Sequence, residues 1–323
     1  MSLLNKAIGG YFGLDIPKGG GFPYNDAYKY QSARAAFYAL LLAVKPERVW
    51  MPRYICDSML APLYKANVEI CFYGINKDFS IKENVVLKSK DLLLYVNYFG
   101  VCEKVQDELL LKYNSEQLVF DHSQAFFTPP KKCLATIYSP RKFFGVPDGG
   151  LLFTEVKIQL PKNQDEASYN RSLHLLKRFA DSPESGYSDF QIAEESLKQF
   201  EPLRMSKLTE KLLSGIDYKK VKEIRNRNFL HLHNQLKDRN KIVIDSDSID
   251  GPMVYPFLQS DKDLKTHLIT NRIFVSTYWP ECLGRVGINK DENELIQSLL
   301  PLPCDQRYVI SDLNTFLKII KVN

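Results

Sequence analysis

The stretch LVFDHSQAFFTPPKKCLATIYSPRKFFGVPDGGLLFT, from Leu118 to Thr154, decides the fold. It holds two short apolar runs, Leu118-Val119-Phe120 and Leu134 to Tyr138, each bounded by polar or proline-rich residues. Runs of this length with such borders read as buried strands. The first ends on Asp121 and the second runs into Lys142. Ligands of an α/β sheet bind outside the carboxyl ends of its strands, so an acid and an amine are delivered to one rim.

Upstream, Ser32 stands before ARAAFYALLLAV, whose Phe37, Leu40, Leu41 and Val44 recur at helical spacing. Ser32 reads as the N-cap, and a helix start of this kind offers free N–H groups to a phosphate. VWMPRYIC reads as a strand leading into a loop, and VEICFYGI and DLLLYVNYFG alternate with helical material. That is the βαβ rhythm of a largely parallel sheet. Before it, Gly19-Gly20-Gly21 follows no strand and precedes no Gly-Lys-Ser/Thr, so an arm or surface loop is expected there and not a phosphate loop.

Downstream, residues 163 to 188 are rich in charge and Ser and read as solvated surface. KVKEIRNRNFLHLHNQL reads as an exposed basic helix. Its His231 and His233 do not share a helical face, so no metal site is expected there. The last hundred residues alternate expected strands (KIVID, MVYPFL, RIFVSTYW) with expected helices (DLKTHLITN, DLNTFLKIIK). The expected organisation is α/β: a large domain over 1–214 with an N-terminal arm and a mostly parallel sheet covered by helices on both faces, then a small α+β domain over 215–323.

Length and composition narrow the function. A chain of 323 residues can bury a large core in two domains. A formal charge of +5 is small for that size and no long basic run is interleaved with aromatics, which argues against nucleic acid. Cys56, Cys71, Cys102, Cys133, Cys282 and Cys304 are scattered singly, as free thiols in a reducing compartment are. The start MSLLNKAIGGYFG lacks a signal peptide's apolar core, and no stretch approaches the ~20 apolar residues of a membrane span. A cytoplasmic protein without membrane insertion is expected.

VFDHSQA resembles the aspartate-x-x-glutamine segment of the DegT/DnrJ sugar aminotransferases, a branch of the aspartate aminotransferase (type I) fold. YSPRKFFGVPDGGLLFT is similar to that family's lysine segment, in which the lysine that binds pyridoxal 5'-phosphate (PLP) is followed by a short loop and a Gly-Gly turn. The resemblance implies Lys142 as the Schiff-base lysine, Asp121 as the carboxylate that keeps the ring nitrogen protonated, and Gln124 as a contact of the ring or its phenolic oxygen. It also implies Ser32, Ala33 and Arg34 as the phosphate-binding helix start, where the family's Ser-Gly-Thr has lost its Thr hydroxyl. The ring-stacking aromatic falls on Cys56, with Tyr54 nearby either as its replacement or as simple loop packing. Asn97 and Tyr98 take the place of residues that contact substrate.

Two departures stand out. Ile137 replaces the hydroxyl residue five positions before the lysine, with Thr136 and Ser139 as nearby substitutes. Pro202 replaces the Asn that reaches a partner's phosphate in the segment before Arg204-Met205-Ser206. His122 reads as strand-end packing, and Arg141 and Asp148 as turn or surface residues. The implied activity is transfer of an amino group from glutamate to a keto group of a nucleotide-linked deoxysugar for surface-polysaccharide precursors, by a homodimer. The alternative is a family member that binds PLP or a sugar nucleotide without transferring nitrogen, as a partner subunit. A related dehydratase is a second enzyme alternative, but it would carry His where this chain has Lys142.

Overall fold

The structure, a computed structural model, describes residues 8–261 and 263–322. The start of the chain through residue 7, on which part of the targeting expectation falls, lies outside the described residues. A strand β1 (Tyr28–Tyr30) leads into helix α1 (Ala33–Val44), and then follow β2 (Arg48–Pro52), α2 (Ala61–Lys65), β3 (Glu69–Tyr73), β4 (Asp91–Val96), α3 (Glu103–Lys112), β5 (Leu118–His122), β6 (Ala135–Tyr138) and β7 (Gly150–Phe153). These strands form a seven-stranded sheet in the order β1-β7-β6-β5-β4-β2-β3. The run β3-β2-β4-β5-β6 is parallel, whereas β7 and β1 are antiparallel to their neighbours. Every residue of β4 and β5 is buried, as central strands covered on both faces require.

Helices α4 (Ser168–Arg171), α5 (Leu173–Ala180), α6 (Tyr187–Ser196) and α7 (Lys207–Ser214) follow the sheet. The polar stretch over 163–188 is not solvated throughout. Asp165 and Arg171 are buried and form an ion pair, and an ion pair is what makes burial of both charges tolerable. The remainder comprises α8 (Tyr218–Leu236), β8 (Val254–Leu258), α9 (Leu264–Thr270), α10 (Lys290–Ser298), β9 (Leu299–Pro303) and α11 (Ile310–Val322).

This last region departs from expectation in three ways. MVYPFL supplies β8, but KIVID and RIFVSTYW form no strand; Lys241 donates one backbone bond to Leu258 and the chain then leaves the sheet. The partner of β8 is instead LLPLP, paired antiparallel with Pro256 opposite Pro301. Proline is tolerated because a two-stranded sheet consists only of edges. Finally, α8 is no purely exposed helix: Arg225, Asn228, Phe229, Leu232 and Leu236 lie buried along one stripe. No described helix is long and apolar enough to cross a membrane.

Candidate active site

The parallel strands β5 and β6 pair with Asp121 opposite Ile137 and His122 opposite Tyr138, so both end at the same rim. Asp121 is 3 % exposed, and its Oδ1 accepts the Ser123 N–H at 2.8 Å. It forms no ion pair among the described residues. Its neighbour His122 does not supply a cation. Burial holds that imidazole down to about 3, and its Nε2 lies 2.8 Å from the Gln106 amide nitrogen, so it is packed as expected. A buried carboxylate without a counter-ion is costly unless something positive faces it.

Gln124 adds a second open valence. It is fully buried, its Oε1 accepts the Phe99 N–H at 2.9 Å, and its Nε2 has no hydrogen-bond partner. Buried amide hydrogens are normally satisfied, so this one marks a place for a polar group. Lys142 closes a 3₁₀ turn, Pro140–Lys142, directly after β6. Its N–H bonds the Ser139 carbonyl, while Phe143 and Phe144 both return to the Pro140 carbonyl and are buried. The Lys142 side chain is left exposed and forms no ion pair among the described residues.

The Gly-Gly turn explains how the helix start reaches this rim. Gly149 has φ +129° and donates its N–H to the Gln31 carbonyl at 2.7 Å. A Cβ on Gly150 would lie 2.1 Å from the Ser32 carbonyl carbon, so only glycine lets β7 lie against the start of α1. There the Ser32 hydroxyl accepts the Ala35 N–H at 3.1 Å and the Ser32 carbonyl takes that of Ala36. The N–H groups of Ala33 and Arg34 belong to the first turn, which has no intrahelical acceptors.

Two residues expected as turn or surface residues are structural parts of this corner. Asp148 is fully buried. It accepts the Ser206 N–H and hydroxyl, each at 2.8 Å, and the Thr209 hydroxyl, anchoring α7 under the Gly-Gly turn. Burial outweighs these bonds and pushes its carboxyl up to about 7. Arg141 is half-buried, pairs with Glu194 of α6, and has its pKa lowered to about 10 by burial and by the nearby Arg171 and Arg34. Arg34 donates to the Leu197 carbonyl, just past α6, at 3.1 Å. The guanidinium groups of Arg34 and Arg141 thus reach the same end of α6 beside the start of α1. The sequence carried a signal for Asp148, since Ser206-Lys207-Leu208-Thr209 is a helix start that needs a partner for its hydroxyls.

The other expected site residues are placed as follows. Ile137 is buried in β6, Thr136 is buried with its hydroxyl near Cys133, and Ser139 is 7 % exposed at the strand end. Cys56 bonds Ser58 at 2.9 Å. Tyr54 stacks on Tyr98 at 5.7 Å and meets Trp279 edge-on at 4.7 Å, so its ring is packed within an aromatic cluster. Tyr98 spends its hydroxyl on the Tyr54 carbonyl. Asn97 is fully buried, with its amide donating to Gln106 and its oxygen accepting from the Cys102 N–H, so both atoms already have protein partners. Pro202 lies in a segment laced to Gln31, whose side chain bonds both Glu201 and Leu203.

No family model matches the sequence, and no curated protein is similar to it in sequence. Solved structures share the fold. The sugar aminotransferase CalS13 from Micromonospora echinospora aligns with a TM-score of 0.61 at 12 % identity, covering 92 % of this chain and 87 % of that one. NtdA from Bacillus subtilis, solved with bound cofactor PMP, aligns at 0.65 and 15 %, covering 91 % and 72 %. The E. coli GDP-4-keto-6-deoxy-D-mannose-3-dehydratase, solved with bound hydrated PLP, aligns at 0.64 and 15 %, covering 91 % and 87 %. At these identities the likeness establishes the fold: a mostly parallel seven-stranded sheet of the PLP transferase type, flanked by helices.

Proposed function

We propose that the protein is a PLP-dependent aminotransferase that transfers an amino group from an amino acid, glutamate by the family resemblance, to a keto group of a nucleotide-linked deoxysugar. The observation that carries this reading is the rim itself. A buried carboxylate without an ion-pair partner among the described residues, Asp121, lies at the end of β5, and the exposed Lys142 lies in the turn after the adjacent β6, with an unsatisfied amide on Gln124 between them in sequence. The fold's neighbours, which include sugar aminotransferases and an enzyme of a keto-deoxysugar nucleotide, support the substrate class.

PLP, when bound, supplies an electron sink through its protonated ring. The residues around it have separate tasks. Asp121 holds the proton on the ring nitrogen by a charge-assisted hydrogen bond, and its own burial then has a counter-charge. The unpartnered Gln124 Nε2 would contact the ring or its phenolic oxygen. The N–H groups of Ala33 and Arg34 at the start of α1 hold the phosphate, with the Arg34 and Arg141 guanidinium groups adding positive charge nearby. Lys142 Nζ would hold the cofactor and, when free, would serve as the base and acid that moves a proton from and to the substrate carbon. Its exposed position leaves the amine open to an incoming substrate.

The same reading includes a cytoplasmic homodimer in surface-polysaccharide precursor synthesis, with a domain division near residues 214 and 215. The non-catalytic alternative draws its support from the phosphate side, where Ile137 and Pro202 stand in place of polar contacts. A visible absorbance spectrum before and after adding glutamate distinguishes the two. An aminotransferase loses its long-wavelength band as nitrogen moves to the cofactor; an unchanged spectrum with several amino donors rejects transfer.

A further inference from the structure

Arg225 is a charge in an unexpected place. It occupies a core position of α8 with 2 % exposure, and it pairs with no carboxylate among the described residues. Burial lowers its pKa, as expected for a cation held by carbonyl groups alone. An apolar side chain on the same stripe would avoid that cost, so its partners must explain its presence. Nη1 donates to the carbonyls of Pro252 and Met253 at 2.9 and 3.1 Å, and Nη2 reaches that of Phe143 at 3.4 Å. The guanidinium also lies over the Phe143 ring, 4.6 Å from its centroid.

Phe143 directly follows Lys142, and the Gln306 amide donates to its carbonyl too, at 2.8 Å. The segment on Arg225's other arm leads to a second site residue. The Met253 N–H donates to the Phe99 carbonyl at 2.8 Å, and the Phe99 N–H donates to Gln124 Oε1 at 2.9 Å. Phe99 itself is held at φ +57°, a left-handed conformation that a bulky aromatic adopts only when its surroundings impose it. One planar, forked cation thus joins the turn that carries Lys142 to the chain of bonds that orients Gln124.

We propose that Arg225 is a positioning residue for Lys142, acting from the C-terminal region through the Phe143 carbonyl and fixing where the amine stands relative to Gln124. The inference rests on Lys142 as the cofactor lysine. Lysine at 225 keeps the charge but cannot hold three carbonyls in one plane. In Arg225→Lys, the visible band that forms when PLP is added should rise at least about tenfold more slowly, since small misplacements of a reacting group are costly. The pH midpoint of that band should also move. Gln306→Leu removes the other donor to the same carbonyl from a part-exposed position, and should change both readouts in the same direction by less.

Packing alone would lower the melting temperature without altering the capture rate or the midpoint of protein that remains folded. Wild-type values of both in folded Arg225→Lys overturn the proposal while leaving Lys142 as the cofactor lysine. If Arg225→Lys does not fold, wild-type values in Gln306→Leu overturn it equally. Wild-type protein that captures no PLP on Lys142 overturns this proposal and the functional reading together.

Discussion

The two ends of the candidate site are built differently. At the ring end, Asp121 of the fully buried β5 has no ion-pair partner among the described residues, and Gln124, two residues beyond that strand, is buried with an unpartnered Nε2. At the proposed phosphate end lie the apolar Ile137 and Pro202, the start of α1 with its Ser32 cap, and two arginines that lean on α6. On the proposed reading, the ring would be met by buried side chains and the phosphate by backbone N–H groups and guanidinium groups. Changes at the ring end should therefore abolish turnover at little cost in binding, and changes at the phosphate end should do the reverse.

Asp121→Asn is the sharpest break. It keeps shape but removes the charge that protonates the ring, so the glutamate half-reaction should slow by about 10²–10⁴-fold, at ~1.4 kcal/mol per tenfold. PLP should still bind. Equal rates in wild type and variant, measured by stopped-flow absorbance, would remove Asp121 from the chemistry and erase the contrast between the two ends.

Asp148 tests the scaffold of the phosphate end. Its replacement by Asn leaves one of three donors around it without an acceptor, which should cost about 1–3 kcal/mol of unfolding free energy. Its folded pKa, about 7, lies above its unfolded value, so the folded state holds the proton more tightly. Stability from this group is then fully present below about pH 4 and is lost as pH rises toward 7. Denaturant titrations across that range should show this slope in wild type and not in Asp148→Asn; parallel profiles would mean that the carboxyl is ionised throughout.

Ser32→Ala should have the smallest effect. Loss of the cap costs about 1 kcal/mol of stability. If the helix start holds phosphate, affinity for PLP should fall by a few fold while affinity for pyridoxal, which lacks the phosphate, stays the same. Equal losses for both ligands would place the phosphate elsewhere.

Much of this contrast was legible in the chain. The apolar runs ending on Asp121 and Lys142, and the Ser32-capped helix, rest on local patterns that the core then enforces. What escaped depends on partners distant in sequence. Asp148 looked like a turn residue because its acceptor role requires Ser206 and Thr209, and Arg225 looked like one more charge on a basic helix because Phe143 and Pro252 are needed to see its purpose. Asn97 ends a strand at the right rim, but Gln106 and Cys102 absorb its side chain. The prolines of LLPLP hid a strand that pairs, among the described residues, with one edge strand alone.

The central claim is that Lys142 carries the cofactor opposite Asp121. Wild-type protein incubated with PLP, reduced with borohydride and digested for peptide mapping tests it directly. The account predicts one labelled peptide, with the pyridoxyl group on Lys142; label on another lysine, or none, would contradict it.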